Sequence, residues 1–448
     1  MDKNPDFSRL WMPFTYYRDT VDCPPVVIER GQGIYVYDKA GREIIDGVGS
    51  WWVSIFGHCH PYITSAIKNQ LDKIEHILMA GFVSEPALRL SHLLGDLLPK
   101  ELTRIFYSDD GSTAVEVALK IALQYHALRG GNACGFVGLG SGYHGDTLGA
   151  MSVSTIPSYH SLFHERFKKH LSADSPYCYR CPKDRDPLTC SAECMDSLEK
   201  ILKEHRGNIA ACIFEPMVQG AAGMRVYPAK VLKRIFALCE HYKILTIADE
   251  VAVGFGRAGK LFACEYAGNV PDILCLAKGL TGGYLPMGVT AVKEHVFEEF
   301  KGVPGSGRIL CHGHSFTGNP LAAAAACASM ELIRELDIPA SLDTSISRFR
   351  NGLERFREQE VVGDVRSIGL IGAMEFVKDK TTKAPFPATE RFALAIARKA
   401  LEHGLLVRPL GDVLYFIPAF IITGEQIDTM FSILHRSIKD ILNARPAR

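Results

Sequence analysis

The chain carries no net charge: Lys and Arg number 50, and Asp and Glu number 50. That balance excludes the one-signed field that draws proteins to nucleic acid or anionic membranes. Long apolar runs are missing as well. The longest bland stretch, Leu321 to Met330, is alanine-rich and falls short of the ~20 residues a bilayer span needs. The start, Met1-Asp2-Lys3-Asn4-Pro5-Asp6, has no apolar core of a secretory signal, so a cytoplasmic protein is expected. Internal repeats and low-complexity segments are absent, which excludes solenoid architectures. Cysteine is present, at 13 residues, but Cys212, Cys239, Cys275 and Cys327 each sit singly inside apolar runs. These read as small buried hydrophobes of a reducing compartment, not as a disulfide framework.

What remains is a large globular chain. Its 448 residues, 47% hydrophobic and 22% charged, suffice for more than one domain. Two short strand-like runs lie at Val26–Arg30 and Gly33–Tyr37. From about 60 to 325, apolar runs such as Arg104–Tyr107, Gly135–Leu139 and Ile209–Phe214 alternate with helical periodicity. That alternation predicts an α/β fold with a mostly parallel sheet wrapped by helices. Beyond about 330 come a charged helix over Ile346–Gln359, strand-like pieces, and an amphipathic helix from Gly424 onward, which predict a smaller α+β unit.

Two apolar runs each deliver a charged residue to their end. Ile244 to Ala248 runs into Asp249-Glu250, and Ile273 to Ala277 runs into Lys278 and then Gly279, Gly282 and Gly283. Such runs read as buried parallel strands, whose carboxyl ends are where open α/β sheets bind ligands. A lysine that can form an imine and an acid that can hold a pyridine nitrogen protonated suit pyridoxal phosphate chemistry. A structural ion pair is the alternative.

Further motifs punctuate the strand ends. Tyr107-Ser108-Asp109-Asp110-Gly111-Ser112-Thr113 precedes a helix, so free amides and the positive dipole end can meet a phosphate. An ordinary N-cap explains the same residues. Gly142-Tyr143-His144-Gly145-Asp146 offers an aromatic flanked by glycines, fit to lie on a flat ring or simply to turn. Glu215 could neutralise a charged group and Gln219 could bond a ring oxygen. His312 and His314 have no further ligand at useful spacing, so a metal reading there is discounted.

In this order the motifs resemble the class III (ω) aminotransferases, fold-type I enzymes that use pyridoxal 5'-phosphate. The segment from Ala248 to Lys260, Ala-Asp-Glu-Val-Ala-Val-Gly-Phe-Gly-Arg-Ala-Gly-Lys, is similar to the group's signature, and the likeness runs from about residue 8 to 440. Trp11 to Thr15, Ser50-Trp51-Trp52, Leu123-Gln124-Tyr125, Gly142 to Thr147 and Lys260 to Glu265 resemble its biotin-pathway branch. Those enzymes aminate 8-amino-7-oxononanoate to 7,8-diaminononanoate with S-adenosylmethionine, or in a variant group L-lysine, as donor.

The resemblance implies roles and an assembly. Lys278 is the imine-forming lysine and acid/base, Asp249 holds the ring nitrogen, and Tyr143 lies on the ring and touches substrate. Gly111 and Ser112 bind the phosphate, with Glu215 also at the cofactor. His314 and Ser315 stand where the family's second subunit reaches the phosphate, which implies a homodimer with shared sites. Phe14, Trp51 and Gly313 match substrate contacts, and Arg408 matches the residue that holds the acceptor's carboxylate, a task suited to a bidentate guanidinium. Tyr415 falls near that pocket by spacing. The implied domains are a large cofactor-binding unit over 61–325 and a small one built from 1–60 and 326–448.

Two departures bear on the donor. The adenosylmethionine-type pattern has Trp-His-Pro-Tyr where this chain has Trp11-Met12-Pro13-Phe14, and Gly-Pro-Thr where it has Gly313-His314-Ser315; both bring the chain closer to the lysine-using variant. The rival readings are another ω-aminotransferase acting on ornithine, 4-aminobutyrate or a diamine, and a non-catalytic protein of the same fold. Outside the catalytic plan, Cys178-x2-Cys181-x8-Cys190-x3-Cys194 offers four thiols for a structural zinc in a loop; free thiols are the alternative.

Overall fold

The computed structural model describes residues 6–167 and 169–445, so the N-terminal hexapeptide read above lies, except for Asp6, outside the described residues. Its centre is a seven-stranded sheet in the order Leu102–Ser108, Gly288–Lys293, Ile273–Leu276, Leu245–Asp249, Ile209–Phe214, Gly135–Leu139, Leu171–Ala173. Gly288–Lys293 pairs antiparallel with both neighbours, and the others run one way. The inner strands Ile209–Phe214, Leu245–Asp249 and Ile273–Leu276 are buried at every residue, as expected when helices cover both faces. The α/β fold expected from the alternating pattern is the fold found.

Two helices fix the site's geometry. Gly111–Leu128 starts at a capping box in which Asp110 Oδ1 accepts from Thr113 N and Thr113 Oγ1 accepts from Asp110 N, each at 2.8 Å. Ala114, Val115, Val117 and Ala118 then pack on the sheet, so the helix start is pinned beside the strand ends. Pro320–Glu335 begins at Asn319, whose side chain accepts from Leu321 and Ala322 N. Its alanines admit close packing against Pro61–Leu71, Glu85–Leu97 and the turn Lys278–Thr281. Ser329 Oγ donates to Gly279 O at 3.0 Å, bracing that turn.

A second sheet joins Ile28–Gln32, Tyr35–Asp38 and Glu43–Asp46 to Leu405–Leu406, and a third joins Val362–Ile368, Ile371–Phe376, Val413–Phe416 and Arg408–Leu410. Arg366 ties this last sheet to the loop after Glu215: its Nε donates to Met224 O at 2.8 Å, and its Nη1 to Asp364 and Glu375. The charged helix predicted over Ile346–Gln359 runs from Asp343 to Glu354 and tightens to a 3-10 turn over Arg355–Glu358. No helix among the described residues is long and apolar enough to cross a membrane.

Candidate active site

Lys278 and Asp249 meet at one cavity of about 410 Å³ at the carboxyl ends of the parallel strands. Asp249 closes its strand, opposite Cys275 of the neighbouring one, and Lys278 follows that neighbour's end. Lys278 has φ +47°, a left-handed conformation uncommon outside glycine and of the kind that collects at functional sites. Its Nζ lies 4.7 Å from the centre of the Trp52 ring. Burial lowers the Lys278 amine below the usual lysine range, and the carboxylates of Asp249 and Glu215 offset part of that shift.

Each carboxylate at the site is held by donors. Asp249 Oδ2 pairs with His144 Nδ1 at 2.8 Å, and Oδ1 accepts from Val251 N at 3.1 Å. Glu215 accepts from Tyr143 N at 3.0 Å and Gly220 N at 2.8 Å. Burial nevertheless pushes Glu215 up to about 7. Tyr143 lines the cavity and donates its hydroxyl to Asp146 Oδ2 at 2.7 Å. Burial and that carboxylate raise the phenol far above its ordinary value, so it stays a donor.

The opposite wall is a cradle for an anion. Gly111 and Ser112 are the first two residues of an 18-residue helix and line the cavity, where helix amides lack intrahelical partners. Close approach is built in: a Cβ at Gly145, φ +124°, would stand 2.2 Å from Ser112 Oγ, and one at Gly111 would stand 2.7 Å from Val251 Cγ1. An amine, a buried acid across from it and a small-residue cradle fit a flat ring bearing a phosphate, an aldehyde and a protonated nitrogen.

A second cavity, of about 730 Å³, opens from the first and shares Trp52, Tyr143 and Lys278 with it. Its wall comes from a run of positive φ at Ser50, Trp51 and Trp52, anchored where Ser50 Oγ donates to Asp46 Oδ2 at 2.7 Å. Phe14, Trp51, Tyr159 and Arg408 line it. Phe14 packs on Trp51 and Tyr159 at ring distances of 5.9 and 5.1 Å. The Arg408 guanidinium lies 4.5 Å over Trp51, with no carboxylate paired to it among the described residues. An apolar channel thus joins an amine to an unpaired cation.

The class-III aminotransferase family matches residues 16–438. The chain belongs to the class-III aminotransferases. An adenosylmethionine-8-amino-7-oxononanoate aminotransferase of Geobacter sulfurreducens is 42% identical over 97% of each chain. The crystal structure of the same-named protein of Methanocaldococcus jannaschii superposes with a TM-score of 0.91 at 37% identity, covering 96% of this chain and 97% of that one. An amine transaminase from an uncultivated Pseudomonas species, described as PLP-bound, gives 0.93 at 34% identity, over 98% of this chain and 100% of that one.

In this aminotransferase several expected residues stand elsewhere. Tyr415 lines neither cavity. It pairs with Arg408 across two antiparallel strands but is wholly buried, its ring edge-on to the wall residue Trp52 at 5.8 Å. Gln219 lines neither cavity, because its amide is spent on Ser175 Oγ and Gly140 O. Gly313, His314 and Ser315 lie outside both cavities of their own chain, with His314 Nδ1 3.0 Å from Asp109 Oδ2. Cys178, Cys181, Cys190 and Cys194 are free thiols along one cleft. Among the described residues no group of three or more His, Cys, Asp or Glu is arranged to hold a metal ion. All four thiols line that one cleft, and burial raises Cys178 and Cys194 above the ordinary thiol range.

Residue-pattern reasoning missed Trp52, the Asp249 role of His144, and Tyr159. His144 was signalled by its place beside Tyr143; Trp52 and Tyr159 had no distinguishing local signal.

Proposed function

We propose that this aminotransferase moves an amino group onto C7 of 8-amino-7-oxononanoate, giving 7,8-diaminononanoate for biotin synthesis, with pyridoxal 5'-phosphate as cofactor. The observation that carries the substrate is Arg408: an unpaired guanidinium across an apolar channel from Lys278 suits an aliphatic keto acid with its carboxylate remote from the reacting carbon. Relatives at 35–42% identity carry that substrate in their names.

When bound, the cofactor supplies an electron sink that weakens bonds at the amine-bearing carbon. Asp249, oriented by His144, holds the ring nitrogen protonated. Gly111 and Ser112 bind the phosphate, with Gly145 making room for the Ser112 hydroxyl. Lys278, its amine lowered by burial, would hold the cofactor through its aldehyde and is placed to move the proton at the donor carbon as acid and base. Tyr143 fixes the ring plane and borders both cavities, while Phe14 and Trp51 form the channel. Both substrates must reach Lys278 through one channel, so they bind in turn and ping-pong kinetics follow.

The donor in the relatives' names is adenosylmethionine. A second reading, L-lysine, is favoured by Phe14, which puts a ring without a hydroxyl on the channel wall. Two copies form the working unit: exposed Leu78, Met79, Phe82, Val83 and Phe316 support an apolar contact, through which Ser315 and His314 reach the second copy's phosphate. Residues 1–60 and 326–448 then act as a small domain around 61–325, and the 13 free thiols suit the reducing cytoplasm. Incubation of the holoenzyme with 8-amino-7-oxononanoate and each donor separately, read by mass spectrometry, tests the reading. Appearance of the diamine with either donor supports it, and its absence with both overturns it.

A further inference from the structure

His160 has a setting that the roles above leave unexplained. It lies on the helix Pro157–His164 and is buried to 1% exposure, yet neither ring nitrogen has a hydrogen-bond partner. Buried polar atoms left unpaired cost on the order of 1–3 kcal/mol, so such a histidine calls for a reason. Two neighbours supply one. The His160 ring lies parallel to Tyr143, at 9° with centroids 6.0 Å apart. Its Nε2 stands 3.7 Å from Asp146 Oδ1, an ion-pair distance beyond hydrogen-bond reach. The other oxygen of Asp146 already takes the Tyr143 hydroxyl at 2.7 Å. The preceding residue, Tyr159, is in the channel wall against Phe14.

We propose that His160 is a positioning residue for transamination, acting through Asp146 on Tyr143. Its ring lies parallel to Tyr143 and lines neither cavity. Its Nε2 closes on Asp146 by a small rotation of that half-exposed carboxylate, which fixes the direction of the Tyr143 hydroxyl at the junction of the two cavities. The inference concerns the family reaction and holds whichever amino donor the enzyme uses.

The test is a double-mutant cycle on the holoenzyme with His160→Phe and Asp146→Asn, plus His160→Gln as the conservative variant. Each variant is first checked for wild-type cofactor absorbance and melting temperature. His160→Phe keeps a flat ring beside Tyr143 but removes both nitrogens. About a tenfold loss of kcat is expected for it, with KM for the amine donor changed less than twofold. The double variant should be no slower than Asp146→Asn alone, because the two residues act as one unit, and His160→Gln should recover part of the loss. A readout apart from activity is the imidazole nitrogen resonance that disappears in His160→Phe: it should move in Asp146→Asn. Losses that multiply in the double variant, a resonance indifferent to Asp146→Asn, or wild-type kcat in His160→Phe would overturn the proposal. Loss of bound cofactor or of fold in His160→Phe would overturn it too, assigning His160 to packing.

Discussion

His144 Nδ1 stands 2.8 Å from Asp249 Oδ2, and both side chains are buried at the floor of the cofactor cavity. A carboxylate only accepts, so the proton between them belongs to His144 Nδ1. Nε2 of the same ring is buried without a partner. The imidazole thus has one task, to hold the carboxylate whose other oxygen is turned by Val251 N. A charge-assisted hydrogen bond is worth about 1.5–3 kcal/mol. His144→Phe is expected to keep bound cofactor but lower kcat roughly 10- to 100-fold, and steady-state kinetics beside an absorbance spectrum checks this. Asp249→Asn should cost more, since it removes the carboxylate proposed to hold the ring nitrogen protonated.

Arg408 sets a prediction about substrate shape. Its guanidinium rests on Trp51 and meets no carboxylate of the chain among the described residues, which leaves it free for the proposed bond to the ligand's carboxylate. Arg408→Ala should raise KM for 8-amino-7-oxononanoate about 10- to 100-fold and leave KM for an acceptor without a carboxylate nearly unchanged. Arg408→Lys should recover only part, because an ammonium lacks the bidentate fork. Competing acceptors in one assay give the ratio directly.

Gly145 tests the cradle. With φ +124° and a Cβ 2.2 Å from Ser112 Oγ, alanine there must push that hydroxyl out of the proposed phosphate cradle. Gly145→Ala is expected to bind pyridoxal phosphate at least about tenfold more weakly, equivalent to about 1.4 kcal/mol. Dialysis followed by absorbance titration with the cofactor measures it. Ser112→Ala should show a similar loss of retention without the backbone strain.

Glu215 gives a pH dependence with a definite sign. Its folded pKa is raised to about 7 from 4.5, chiefly by burial, so the folded state prefers the proton. The stability this contributes is complete below the unfolded value and is lost as pH rises through about 7. Glu215→Gln removes the titration but also disturbs the bonds to Tyr143 N and Gly220 N, so the informative quantity is the trend. Between pH 5 and 8 the stability difference should move toward the variant by up to about 3 kcal/mol, as followed by denaturant unfolding of the cofactor-loaded proteins.

Much of the site was readable because buried parallel strands are unbroken apolar runs, so a charged residue at the end of one stands out. Lys278 and Asp249 were found that way, and Gly111-Ser112 by the polar turn before a helix. Trp52 was not legible: its place beside Lys278 arises from three successive left-handed residues, Ser50 to Trp52, which no local propensity announces. Spacing from Arg408 gives Tyr415 proximity but not exposure, since its side chain is wholly buried beside Trp52. Gln219 had suitable chemistry, but Ser175 and Gly140 had already claimed it. The four loop cysteines, read from their spacing as one cluster, do share a single cleft. His160 had no signal at all, since its neighbours Tyr143 and Asp146 come together with it only in the fold.

The central claim is that one cavity accepts an amine and passes its nitrogen to 8-amino-7-oxononanoate. The most direct measurement is the absorbance of the holoenzyme titrated separately with S-adenosylmethionine and with L-lysine, followed by the acceptor. One donor is predicted to convert the aldehyde form of the cofactor to the amine form, and 8-amino-7-oxononanoate is predicted to restore it. A spectrum that neither donor changes, or an amine form that the acceptor leaves untouched, would contradict the account and turn the reading to a different ω-aminotransferase substrate.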